Sequence, residues 1–103
     1  MDTSFSIKEE DMGKDKSKLV VKGRITSDTA NALNKKLTDV YREKKHVILN
    51  MKQVAFLSSG GIRILLMYYK MAKGRNGSFY VEDPSENVVN VLGMVALDEM
   101  LLK

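Results

Sequence analysis

The residues of this sequence best suited to chemistry are four small ones in a row, Ser58-Ser59-Gly60-Gly61, directly before apolar residues with helical spacing. At the start of a helix the first backbone N–H groups have no intrahelical partner, and the helix dipole places partial positive charge there. Two functional interpretations follow: these groups hold the phosphate of a bound ligand, or a serine hydroxyl itself receives a phosphoryl group. A purely structural interpretation competes with both, because serine is a good N-cap and glycine permits close packing.

The residue types and motifs that most catalytic sites need are missing from this sequence. The chain of 103 residues has no cysteine and one histidine, His46, which cannot by itself assemble a zinc site or a catalytic triad. The patterns of a P-loop and of a nucleophile elbow are also missing. We therefore expect no enzyme, no metal and no cofactor.

The charge distribution argues against a nucleic-acid partner. The 17 basic residues exceed the 13 acidic ones, which gives a net charge of +4. The densest basic group lies within residues 35–45, but Asp39 and Glu43 are interleaved with it. This mixture is typical of a solvated helix face, so we expect no binding to nucleic acid.

The hydropathy pattern predicts a cytoplasmic protein without direct membrane insertion. The longest uncharged apolar run, residues 54–62, is far shorter than the ~20 residues that a membrane-spanning helix needs. The N-terminus is acidic and lacks the basic start and apolar core of a signal peptide.

The elements that position the serine motif belong to one domain, residues 1–103, since typical domains run to about 100–150 residues. Alternating apolar residues predict a strand over residues 4–9, and Lys18 to Gly23 predicts a second, more buried strand. Residues 10–17 between them are charged and contain Gly13, which is typical of a loose hairpin loop. Residues 1–17 are therefore expected to form an N-terminal strand and this loop.

The remaining elements alternate between helix and strand. Thr26, Ser27 and Asp28 have the residue types of an N-cap and first turn for a helix over about 28–44. A buried strand over 46–51, the helix after the serine motif, a strand over 78–82 and a third helix ending near Gly93 follow. Residues 100–102 are predicted to form a last edge strand. This order indicates an α/β fold, a mixed four- to five-stranded sheet with helices mainly on one face.

Apolar residues of the second helix lie on two faces. One stripe joins a predicted core that comprises Val47, Ile48, Leu49, Ile62, Leu65, Leu66, Val88 and Leu92. The other stripe contains Ile64, Met67 and Met71, and methionine adapts to varied partners. Either a second helix covers this stripe or it forms part of an interaction surface.

The order of elements and the segment over residues 54–66 resemble the STAS domain of bacterial anti-sigma factor antagonists, from about Leu19 to Leu102. The resemblance implies a partner-switching cycle: the unmodified antagonist binds an anti-sigma factor serine kinase, and phosphorylation by the kinase reverses the binding. It places Ser59 at the phosphorylated position. Ser58 stands where the family most often has Asp, and Thr26 aligns with another commonly acidic position.

The resemblance also implies further site residues and partners. The supporting switch loop comprises Ser58, Gly60, Gly61, Thr26, Ser27 and Asp28, and an arginine at the position of Arg63 often accompanies Ser at the position of Ser58. Together with Ile64 and Met67 of the second apolar stripe, Arg63 is expected to bind the partner. A phosphatase is expected to act on the modified form. Two alternatives stay open: a docking subunit of a membrane-lipid transporter that uses no phosphate, and a sensor module for a small anionic ligand or nucleotide.

Overall fold

The computed structural model describes residues 5–102, which form one α/β domain with a four-stranded mixed sheet and four helices. Residues 1–4 and 103 of the predicted domain, including the start of its first strand, lie outside the described residues. In chain order the elements are β1 Ser6–Gly13, β2 Lys16–Ile25, α1 Ser27–Tyr41, β3 His46–Leu57, α2 Ser59–Gly74, β4 Ser78–Glu82, α3 Glu86–Met94 and α4 Asp98–Leu101.

The sheet has the strand order β1-β2-β3-β4, with β1 antiparallel to β2 and the other two pairs parallel. Because side chains alternate between the two faces of a strand, one face of the sheet carries the core. Its strand residues include Leu19, Val21, Val47, Leu49, Phe79 and Val81, and they form one cluster with buried residues of all four helices. The expected packing of helices mainly on one face is confirmed.

Most of the predicted core is buried, but Ile62 and Leu66 are only half-buried. The buried stripe of α2 runs through Gly61, Leu65 and Tyr68. Ile62 and Leu66 each follow a residue of this stripe, so they lie about 100° around the helix at its margin.

The N-terminal hairpin is tighter than the loose loop predicted over residues 10–17. Strand pairing continues to Gly13 opposite Lys16, and a two-residue turn of Lys14 and Asp15, both with positive φ, joins the strands. Two acidic residues of β1 also form ion pairs outside the hairpin: Glu9 Oε1 lies 3.0 Å from Lys36 Nζ of α1, and Asp11 Oδ1 lies 3.0 Å from Lys44 Nζ.

The edge strand predicted over residues 100–102 is wrong. The segment forms the short helix α4, and Leu102 makes only an isolated parallel bridge to Val81. Ala96 has a φ of 59°, which turns the chain after α3, and Leu101 is fully buried in the core. The apolar composition of the segment is thus accommodated by a short helix that buries Leu101, without an edge strand.

Strand β3 extends six residues beyond the predicted end at Met51, to Leu57. Strand β4 pairs only with residues 46–50, so α3 covers the remaining edge instead. Ser85 donates its N–H to Met51 O at 3.1 Å and its hydroxyl to Val54 O at 2.6 Å. Asn87 Nδ2 donates to Ala55 O at 2.8 Å. These bonds pair the edge of β3 that β4 does not reach. Strand β3 can therefore continue as far as the serine motif.

The polar face of the sheet yields a prediction on acid stability. Glu82 Oε2 lies 2.7 Å from Lys18 Nζ and accepts from Asn50 Nδ2 at 3.1 Å, and these contacts hold the pKa of Glu82 below its usual range. Such a lowered pKa stabilises the fold above the pKa of an unfolded glutamate, about 4.3, and the contribution is lost as the pH falls through the folded pKa.

We expect Glu82→Gln to lower the free energy of unfolding by less than about 1 kcal/mol near neutral pH. Urea titrations should show the wild type and the variant converging once the pH falls below the lowered pKa of Glu82 in the folded chain, because both side chains are then uncharged. A difference in stability that does not change with pH would contradict this assignment.

Candidate functional site

Two parallel strands end side by side at the serine motif. Ile25, the last residue of β2, lies opposite Leu57, the last residue of β3, and Ser58 N–H donates to Ile25 O at 2.9 Å. Each strand leads directly into a helix, so Thr26 and Ser58 become the N-caps of α1 and α2 at the same edge of the sheet. Two positive helix ends therefore meet at this edge.

Ser58 and Ser59 have different structural roles. The Ser58 hydroxyl accepts from Gly61 N–H at 3.1 Å, and the side chain is half-buried. Ser59 is the first residue of α2, and its side chain is exposed. The structure thus places Ser58 as the cap of the helix and leaves the Ser59 hydroxyl accessible from solvent.

Of the two glycines after the serines, Gly61 is the one that close packing requires. A Cβ on Gly61 would lie 2.7 Å from side-chain atoms of both Ile25 and Leu57, so the first turn of α2 packs directly on the strand ends. A Cβ on Gly60 would lie 4.0 Å from Ser27 Cα. The first turns of α1 and α2 therefore lie side by side, which brings Ser27 near Gly60.

Thr26 caps the start of α1 through both its side chain and its backbone N–H. Its hydroxyl accepts from Thr29 N–H at 3.3 Å, its own N–H donates to Thr29 Oγ1 at 2.7 Å, and Thr29 Oγ1 donates to Arg24 O at 2.6 Å. Ser27 and Asp28 follow on the first turn with exposed side chains. Asp28 therefore supplies a carboxylate to the first turn of α1, whereas the first turn of α2 carries none.

The predicted partner-binding residues lie along the accessible side of α2. Arg63 is exposed, Ile64 and Met71 are half-buried, and Met67 is 44% exposed. The second apolar stripe is thus incompletely covered by the rest of the domain. A role of these residues in partner binding stays a prediction.

One pair of residues beside the site was not predicted from the sequence. The Arg24 guanidinium lies 4.5 Å from the centroid of the Phe56 ring, and the two residues are register partners in β2 and β3. Each stands two residues before an N-cap, Thr26 or Ser58. This equal spacing points to a pair only once β2 and β3 are known to be neighbours that end at the same edge, which the sequence does not show.

Further observations limit the chemistry of the described chain. Residues 5–102 contain no group of three or more His, Cys, Asp or Glu side chains placed to hold a metal ion. Over the same residues no helix has the length and apolar character needed to cross a membrane.

The cap role of Ser58 yields a prediction. Ser58→Ala removes the acceptor for Gly61 N–H, so we expect it to lower the free energy of unfolding by about 1 kcal/mol. The Ser59 hydroxyl should remain usable for modification, because it makes no contribution to this cap. Thermal denaturation and phosphopeptide mapping of the variant check the two statements. Unchanged stability would show that the Ser58 hydroxyl does not act as the cap.

Several solved structures share this fold. An anti-sigma factor antagonist from Mycobacterium paratuberculosis matches with a TM-score of 0.83 at 24% identity, over 98% of this chain and 86% of that chain. The anti-sigma factor antagonist SpoIIAA in its unphosphorylated form matches with a TM-score of 0.82 at 15% identity, over 94% of this chain and 86% of that chain. The Bacillus cell fate determinant SpoIIAA in its phosphorylated form matches with a TM-score of 0.76 at 14% identity, over 94% of this chain and 89% of that chain.

These identities are low, and the likeness to the solved structures shows the fold alone. A sequence model of the STAS domain family matches residues 14–103, which is most of the chain. The matched region contains all of β2 to α4 and both helix N-termini at the serine motif. The chain therefore belongs to the STAS domain family.

Proposed function

We propose that this STAS domain is an anti-sigma factor antagonist in a partner-switching cycle. The unmodified chain binds an anti-sigma factor serine kinase, and phosphorylation of Ser59 releases it. The observation that carries this proposal is the exposed Ser59 hydroxyl at the first position of α2, where the first turns of two helices meet.

The physical effect of a phosphate at Ser59 differs between the chain and its partner. Phosphorylation adds about −1.5 to −2 charges near pH 7. A helix N-terminus favours an anion by roughly 0.3–1 kcal/mol, so the folded domain tolerates the modification. A partner packed over the same edge has to desolvate this charge, which costs several kcal/mol when no counter-charge meets it. The phosphate therefore changes the affinity and leaves the fold intact.

The relatives of similar fold support the same cycle. They include SpoIIAA in both an unphosphorylated and a phosphorylated form, and the fold of this chain matches both. Ser58 is a neutral residue beside the phosphate, so the modified state here suffers less like-charge repulsion than one with Asp at that position. A phosphatase that acts on phosphorylated Ser59 completes the cycle, and both reactions take place in the cytoplasm.

The experiment that tests this function uses an anti-sigma factor kinase from the same genome. The chain is incubated with the kinase and ATP, and the modified residue is located by mass spectrometry of peptides. We expect one phosphate on Ser59 in the wild type and none in Ser59→Ala. Binding without phosphorylation, or binding only to a transport ATPase, would instead favour the docking subunit of a membrane-lipid transporter.

A further inference from the structure

A group of cations lies on the open face of the sheet, next to the edge that carries Ser59. It comprises Lys8 of β1 and Lys22 and Arg24 of β2, all exposed, together with Phe56 of β3, and we call it the basic patch. Within residues 5–102, no carboxylate lies within ion-pair distance of these three cations.

The strand register explains why charge separates along this face. Lys8 pairs with Val20, and Lys22 and Arg24 follow Val20 at intervals of two, so all three cations point to the same face. The acidic residues of this face lie towards its other end. Glu10 is the register partner of Lys18, and Glu82 forms an ion pair with Lys18. The end near Ser59 is therefore basic, whereas the other end is mixed.

Arg24 is held in a geometry suited to a carboxylate. Its guanidinium lies 4.5 Å from the Phe56 ring centroid, and this cation–π contact restrains the planar group. A restrained guanidinium loses less conformational entropy when it binds a carboxylate through two N–H groups. The guanidinium also covers one face of the ring, which leaves at most one ring face for stacking on a nucleic-acid base. The pair thus favours an acidic protein segment over a single-stranded nucleic acid.

We propose that the basic patch binds an acidic segment, rich in Asp and Glu, of the partner protein that binds over Ser59. This inference rests on the proposed function and adds the chemistry of the partner to it. Arg24 stands two residues before Thr26, the N-cap of α1, so a partner seated over the Ser59 edge can reach it. A second copy of this chain is a poor occupant, because two facing basic patches would repel each other.

An NMR titration with a synthetic peptide, acetyl-Glu-Asp-Leu-Glu-Asp-amide, tests the docking chemistry without a kinase. We expect saturable shifts of the backbone amides of Lys22, Arg24 and Phe56, with a Kd of about 1 mM or tighter. Raising the salt from about 50 mM to about 500 mM should weaken this binding, because the Debye length shortens. A peptide with Lys in place of each acidic residue should give no saturable shifts.

Two charge-reversing substitutions, one in β2 and one in the hairpin turn before it, provide the matched test. Arg24→Glu should weaken peptide binding at least about fivefold, because it replaces the guanidinium that donates to the peptide carboxylates with a negative charge that repels them. Lys14→Glu makes the same change in net charge in the hairpin turn, at the opposite end of β2, and should leave the Kd within about twofold. The same two variants should show the same order in their affinity for the kinase.

Several results would overturn the proposal. They are shifts spread equally over the lysines of the helices, equal binding of the basic peptide, and equal effects of Arg24→Glu and Lys14→Glu. Tighter binding of a single-stranded oligothymidylate at the same amides would assign the patch to nucleic acid, and a dimer formed through these residues would assign it to a second copy. The peptide titration involves neither the kinase nor phosphate, so its failure is distinguishable from failure of the Ser59 cycle.

Discussion

Ser59→Asp should weaken binding of this chain to its anti-sigma factor kinase by at least about tenfold, which corresponds to about 1.4 kcal/mol. The substitution places a permanent negative charge at the exposed first position of α2. A partner that packs over this edge then has to bury the carboxylate without a counter-charge. The helix dipole favours an anion at the same position, so we expect little change in Tm. Calorimetry with the kinase and thermal denaturation measure the two effects.

Two variants control for this result. Ser59→Ala should bind the kinase as the wild type does and should accept no phosphate, because it removes the hydroxyl and adds no charge. Asn90→Asp introduces the same charge at an exposed position of α3, outside the first turns of α1 and α2, and should leave the affinity within about twofold. Unchanged affinity of Ser59→Asp, or phosphate found on Ser58 or Thr26, would refute the assignment of Ser59.

Gly77→Ala should lower the free energy of unfolding by about 3 kcal/mol, at the upper end of the usual cost of overpacking. A Cβ on Gly77 would overlap the carbonyl oxygen of Lys45, which already accepts from Ser78 N–H at 3.0 Å. Gly77 N–H donates to Ala72 O at 2.8 Å. The backbone therefore cannot move away without breaking bonds that join the end of α2 to the start of β4.

Gly74→Ala is the matched control for this prediction. Gly74 is the last residue of α2, and a Cβ there would meet no atom within 4 Å. Alanine has the higher helix propensity, so we expect a stability equal to the wild type or up to about 1 kcal/mol higher. Urea titrations of the two variants decide the matter. Equal stabilities would mean that the contact between Gly77 and Lys45 does not constrain the fold.

The starts of α1 and α2 and the position of Ser59 were determined by the sequence itself. The N-cap residue types at Thr26 and Ser58 predict two helix starts, and both side chains cap their helices in the structure. A cap hydrogen bond and an amphipathic stripe each involve residues three or four positions apart. Both can therefore be recognised in a short stretch of sequence. The same local pattern places Ser59 on the first turn of α2.

Features that depend on contacts between distant residues were decided only by the tertiary structure. Residues 100–102 have the composition of an edge strand, yet residues 100 and 101 belong to the helix α4, where Leu101 is fully buried, and only Leu102 is extended. The pairing of Arg24 with Phe56 joins residues 32 positions apart and depends on the register of β2 against β3. Register is set by the summed packing of whole strands and helices against one another. No short stretch of sequence contains that sum, so the basic patch beside Ser59 becomes visible only in the folded chain.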